Sequence, residues 1–161
     1  MAAQRILTLG GLVLIIFGVI FGFIDLLFLE RSYFNARLAG LQQALEYLNK
    51  GQESQALSYI YQFEKINHTL YKLTAANFHF FIYGMLAILL AYLLPQIPFN
   101  QKLTLFLAII MPAGGLLFTL GTILQAYGSG IGFYFTLLGG SWVFIALSSF
   151  FSGYYLRKYS L

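Results

Sequence analysis

Apolar and polar positions alternate along this chain in long blocks. Four apolar runs occupy residues 6–29, 75–94, 103–126 and 131–155. Each holds about 20 residues or more, enough to cross a hydrocarbon layer about 30 Å thick at about 1.5 Å per helical residue. Alternating segments of about ten residues, the mark of a membrane barrel, are absent. The pattern predicts a single all-α domain over 1–161: a polytopic membrane protein of four transmembrane helices, with an extramembrane helical hairpin over 30–73 between helices 1 and 2.

The hairpin expectation comes from the one sizeable polar stretch. It contains no proline, and Gly40 and Gly51 are its only glycines. Phe34, Leu38, Leu41, Leu45 and Leu48 repeat at intervals of three and four, as do Tyr59, Phe63, Ile66, Leu70 and Leu73. Such stripes belong to amphipathic helices that meet along a seam. Between them, Gly51 suits a left-handed helix stop. The spacing therefore predicts helices over 32–49 and 53–73, packed on each other and continuing the first two spans. The alternative is a pair of helices lying flat, with their stripes in the headgroups.

Other breaks and packing signals are local. Pro95 and Pro98 end the second run in a tight turn. Pro112, followed by Gly114 and Gly115, is expected to kink the third run. Gly18 and Gly22 form a G-x-x-x-G pair, and Gly128, Gly132, Thr136 and Gly140 form a ladder spaced by four. Small residues at that spacing let helix backbones approach closely in lipid.

Composition sharpens the picture. Hydrophobic residues make up 60% and charged residues 9% of the chain, against about a quarter charged in soluble domains. Too little polar chain remains to cover four helices that are apolar all round. The net charge of +4 is spread over loops and tails with no basic cluster, so no nucleic-acid partner is expected. The absence of cysteine excludes disulfides and thiol chemistry. The first run exceeds the length of a secretory signal core and is expected to stay as a helix. Arg5, Lys102, Arg157 and Lys158 share one side, and the third connection has no charge. That distribution predicts cytoplasmic N- and C-termini with the hairpin on the outer side. Trp142, Tyr154, Tyr155 and Tyr159 are amphipathic, the tyrosines placed to form an interfacial belt.

Chemistry has few places to live. Only Asp25 and His79 are ionisable at or near membrane depth. Such groups are costly in lipid and turn to the bundle interior or to each other. Two readings stand: a polar pair, Asp25 accepting from His79 with Tyr83 on the same face, or two hydrated groups idle among headgroups. His68 lies about three turns from His79, too far to share a metal ion. No metal site is expected. Asn67-His68-Thr69 fits a glycosylation pattern that is common by chance. No nucleophile–base pair, paired catalytic carboxylates or phosphate loop is visible, so no catalytic residue is assigned. Seventeen Phe and twelve Tyr read as packing and lipid-facing surface.

The run His79-Phe80-Phe81-Ile82-Tyr83-Gly84-Met85, followed by Tyr92-Leu93-Leu94-Pro95, resembles the second helix of small four-helix membrane proteins related to part of haem-copper oxidase catalytic subunits. The resemblance covers about 80 residues and its motif is loose. It implies haem ligation by His79. Many such proteins carry a second histidine two residues earlier, where this chain has Asn77, and the long hairpin is extra.

Three functions follow as expectations. The first is a membrane accessory or structural subunit, without catalysis, packing with itself or with other membrane subunits in the bilayer. The second is a haem- or quinone-associated subunit of a respiratory-type redox complex, with His79 as ligand. The third is a small transporter or channel with the Pro112 break lining a path.

Overall fold

The computed structural model describes residues 1–159, and side chains as far as Leu156. The expectations placed on Arg157, Lys158 and Tyr159 lie outside those side chains. The described residues are helical almost throughout, with no strand: α1 (Ala2–Ile24), a π turn (Asp25–Leu29), α2 (Glu30–Asn49), α3 (Glu53–Leu93), a 3-10 turn (Leu94–Gln96), α4 (Gln101–Ala126) and α5 (Ile131–Tyr159). Four helices are long and apolar enough to cross a membrane.

The breaks fall where local chemistry demands them. Gly51 adopts φ 72°, in the left-handed region, and its N–H reaches the Leu48 carbonyl, closing the end of α2. Pro95 stops α3 within the 3-10 turn. The Asn100 side chain caps α4 by accepting from the Leu103 N–H at 2.8 Å. Gly128, at φ 78°, turns the chain into α5. Pro112 does not end α4, which runs unbroken from Gln101 to Ala126.

Between α1 and α2 there is no break. The π turn joins them into one helical stretch of 48 residues, about 70 Å long. α3 alone has 41 residues and spans about 60 Å. α2 and the first half of α3 lie antiparallel against each other. Tyr47 stacks on Tyr59 at 5.5 Å, and the Arg37 guanidinium sits 5.2 Å from the Phe63 ring centre.

The main core lies toward the other end of the bundle. Leu7, Leu107, Met111, Ala146 and Phe150 are all but fully buried there, with Ala87, Ala91 and Ala108 between them. Beyond this core, glycines replace side chains at the crossings. Gly11 faces Gly84 between α1 and α3, and Gly114 faces Gly139 between α4 and α5. Gly121 faces Gly132 in the same α4–α5 seam. In each pair a methyl group on one glycine would strike the backbone of the other helix. Close backbone approach, rather than side-chain interdigitation, holds these helices together.

Candidate functional site

The polar groups gather where α1, α3, α4 and α5 approach the paired arms. In the α1–α3 seam, Gly22 meets Asn77 and Gly18 meets Phe80 and Phe81. This antiparallel register brings Asp25 level with Thr74, and His79 level with Ile20. The two ionisable groups are thus about five residues apart in depth, or about 7 Å. They also face different neighbours. His79 turns toward α4, where its ring meets Phe118 edge-on at 4.8 Å and stacks on Tyr83 at 5.9 Å. No hydrogen bond or ion pair joins Asp25 to His79. The Asp25 Oδ1 and His79 Nδ1 atoms are both buried without a hydrogen-bond partner, and so is Asn77 Oδ1. The expected polar pair is therefore not made. Tyr83 does share the His79 face, and its ring meets Phe118 at 5.5 Å.

Beside Asn77, a shallow groove of about 260 Å3 opens on the outside of the α1–α3 seam, lined by Gly18, Gly22, Phe23, Leu26 and Phe81. The G-x-x-x-G pair thus serves two ends: its glycines admit Phe80, Phe81 and Asn77, and they leave the groove.

The best-satisfied polar cluster centres on Gln125, which the sequence pattern did not mark. Its amide donates to Thr136 Oγ1 at 2.7 Å and to the Gly132 carbonyl at 3.2 Å. Its carbonyl oxygen accepts from Lys72 Nζ at 3.5 Å. One turn away, the Thr69 hydroxyl donates to the Ala126 carbonyl at 3.1 Å. The Tyr33 side chain of α2 lies beside Tyr127 of the α4–α5 turn. These contacts link α3, α4 and α5, and the Thr69 bond satisfies the Ala126 carbonyl left open at the end of α4. Thr69, the last residue of the glycosylation pattern, is engaged in this packing.

Within the expected ladder, Gly132, Thr136 and Gly140 face α4: Gly132 against Gly121, Thr136 against Gln125, and Gly140 against the Phe118 ring. Gly128 departs from it. It lies in the turn, and a methyl group placed there would meet nothing within 4 Å. Gly139 is the tighter neighbour, pressed against the Phe118 backbone. Pro112 sits against Gly10 of α1, where a methyl group would be 2.7 Å from its ring. Pro112 thus packs at the α1–α4 crossing.

Among the described residues no three metal-ligating side chains come together. His68 is exposed. The orphaned His79 Nδ1 is a free lone pair or N–H, but Tyr83 and Phe118 close on the ring. A haem does not fit this packing unless Phe118 moves. Comparison with protein-family models, with curated proteins and with solved structures finds nothing that matches this chain.

Proposed function

We propose that this chain is an integral membrane accessory or structural subunit that acts by packing, with copies of itself or within a larger membrane complex, and not by catalysis. The observation that carries this reading is the distribution of apolar surface. In the most apolar window of α1 only 11% of residues are buried inside the protein, and in that of α5 only 22%. Phe17, Ile20, Phe23, Phe133, Leu137 and Phe144 all face outward. Water would penalise so large an apolar exterior, whereas lipid and neighbouring helices would not.

The arms α2 and α3 form the extramembrane hairpin of this subunit. The α1–α2 stretch and α3 are each longer than one bilayer is thick, and the polar residues of the arms lie beyond the apolar runs. The uncharged α4–α5 turn lies at the hairpin end, and Arg5 and Lys102 lie at the other, which supports cytoplasmic termini and an outward hairpin. The test is gentle solubilisation of the native protein, with bands that copurify and an absorption spectrum recorded together. Constant stoichiometric partners or a defined homo-oligomer are expected, and a lone monomer that turns over a substrate would refute the reading.

A haem- or quinone-associated role is supported by one observation, the buried His79 Nδ1 without a partner. The same spectrum decides it: a haem band abolished by His79→Ala would establish ligation. No observation favours transport.

A further inference from the structure

The apolar stripe of α2 is not the surface that α2 turns to α3. The inward positions are Tyr33, Arg37, Gly40, Ala44 and Tyr47, with Ala44 4% exposed against Ala56 at 0%. On the adjacent face, Phe34, Leu38, Leu41, Leu45 and Leu48 remain 40–62% exposed. α2 continues α1 as one helical stretch through the π turn, so on the hairpin reading given above this face stands roughly 8 to 28 Å beyond residue 29. Neither α3 nor a bilayer covers it there.

We propose that this stripe is the contact between two copies of the chain, forming a parallel two-stranded coiled coil above the membrane. The proposal rests on the membrane reading given above. Two copies inserted in the same sense are related by a two-fold axis along the membrane normal, so their α2 helices run parallel and in register. The four-three-four-three spacing then places Leu38 and Leu45 at one set of knob positions, and Phe34, Leu41 and Leu48 at the other.

The flanks permit self-pairing. In this register Arg37 of one copy lies across from Gln42 of the other, and Ala44 from Asn49, so no like charges meet along the stripe. Arg37 already lies over Phe63 of its own chain. One turn below, at the membrane end, Arg31 holds the same knob position as Leu38, so the two Arg31 side chains approach each other there, each with Glu30 beside it, and the apolar seam starts at Phe34.

The area sets the scale. The exposures amount to roughly 450 Å2 per copy, about half of the ~800 Å2 that a standard interface takes from each partner. The remainder has to come from the membrane section of the same continuous helix, where Val19, Phe23 and Leu27 are exposed. The association therefore belongs to the full chain in a bilayer and not to α2 alone.

Because the chain lacks cysteine, single cysteines report without background. The full-length variants Leu38→Cys, Leu41→Cys and Leu45→Cys, in dilute lipid vesicles under mild oxidation, should form a disulfide-linked dimer at least tenfold faster than Gln43→Cys on the solvent side. Leu41→Ser with Leu45→Ser should lower the dimer fraction at least tenfold in subunit counting by photobleaching, while helix content stays constant by circular dichroism. Equal linking at residue 43, stripe cysteines that stay unlinked, a serine variant that dimerises as well as the parent, or stripe cysteines that link only to a different protein in native membranes would overturn the proposal. A monomer that still copurifies in a larger complex would remove the dimer and leave the subunit reading intact. A dimer with no further partner would keep the proposal and remove the larger complex. A dimer recovered outside the membrane fraction would remove the membrane premise on which the parallel register stands, and the proposal with it.

Discussion

Replacing Gly132 with alanine should separate α4 from α5. A Cβ at this position would lie 2.6 Å from the Gly121 carbonyl oxygen, 2.7 Å from the Gln125 nitrogen and 2.9 Å from Leu124 Cβ. Two of these are backbone atoms that cannot rotate away. Ordinary contact begins near 3.4 Å, so the helices must part by about 0.8 Å, and a gap of that size forfeits a quarter to a half of the dispersion at each lining contact. Overpacking of this kind costs about 1–3 kcal/mol. The Gln125 bonds to Gly132 and Thr136 lie at the same level, and such bonds between membrane helices average about 0.6 kcal/mol each. The expected loss is about 2–3 kcal/mol, or about 30- to 150-fold in the unfolding equilibrium. Reversible unfolding in mixed micelles measures it. Gly40→Ala is the control: a methyl group there meets nothing within 4 Å, and mid-helix alanine should stabilise by about 1 kcal/mol. If Gly132→Ala is as stable as the parent, close backbone approach is not what holds α4 to α5.

Gln125→Leu should destabilise by about 1–2 kcal/mol in the same assay, because it removes two donated bonds and the acceptor for Lys72. Asn77→Leu should be neutral or stabilising, since its buried Oδ1 has no partner to lose; a clear loss of stability would mean that a ligand or another subunit satisfies this atom. Asp25→Asn and His79→Phe should act independently, their effects adding within about 0.5 kcal/mol, and a larger coupling in the double-variant cycle would restore the polar pair. Single cysteines at Ala2 and Ser152 should label from the same side of sealed vesicles, and labelling from opposite sides would refute four spans.

The helices were legible because length and periodicity are written densely in the chain. Four long apolar runs, Gly51 and Pro95 mark where helices start and stop. The second stripe, Tyr59 to Leu73, is the face α3 turns inward. The first stripe was visible, but its orientation was not. A mixed face prevails because Ala44 lets α2 close on Ala56, while Arg37 covers Phe63. The π turn adds to this, since Asp25, Leu29, Tyr33 and Arg37 follow one another at intervals of four. Spacing alone does not announce such a turn. The site was less legible. His79 stood out by its charge, yet depth depends on the α1–α3 register, which Gly22 and Asn77 set. Gln125 carried no pattern, because a single glutamine becomes a hub only when a lysine from α3 and a carbonyl and a threonine from α5 arrive beside it.

The unbroken length of α3 has a consequence for how this chain can change. Its half within the bundle and its half paired with α2 share one helical phase, so every residue added or removed between them turns the α2-paired half by about 100° and shifts it by about 1.5 Å. A one-residue deletion near Thr74 would rotate Tyr59 and Phe63 away from Tyr47 and Arg37 while leaving the Gly11–Gly84 crossing untouched. Seven residues removed from each arm would instead restore the faces to within about 20° and lower the tip by about 10 Å. The arms can therefore grow or shrink only in matched near-whole turns, and their height above the bundle is set in steps rather than continuously.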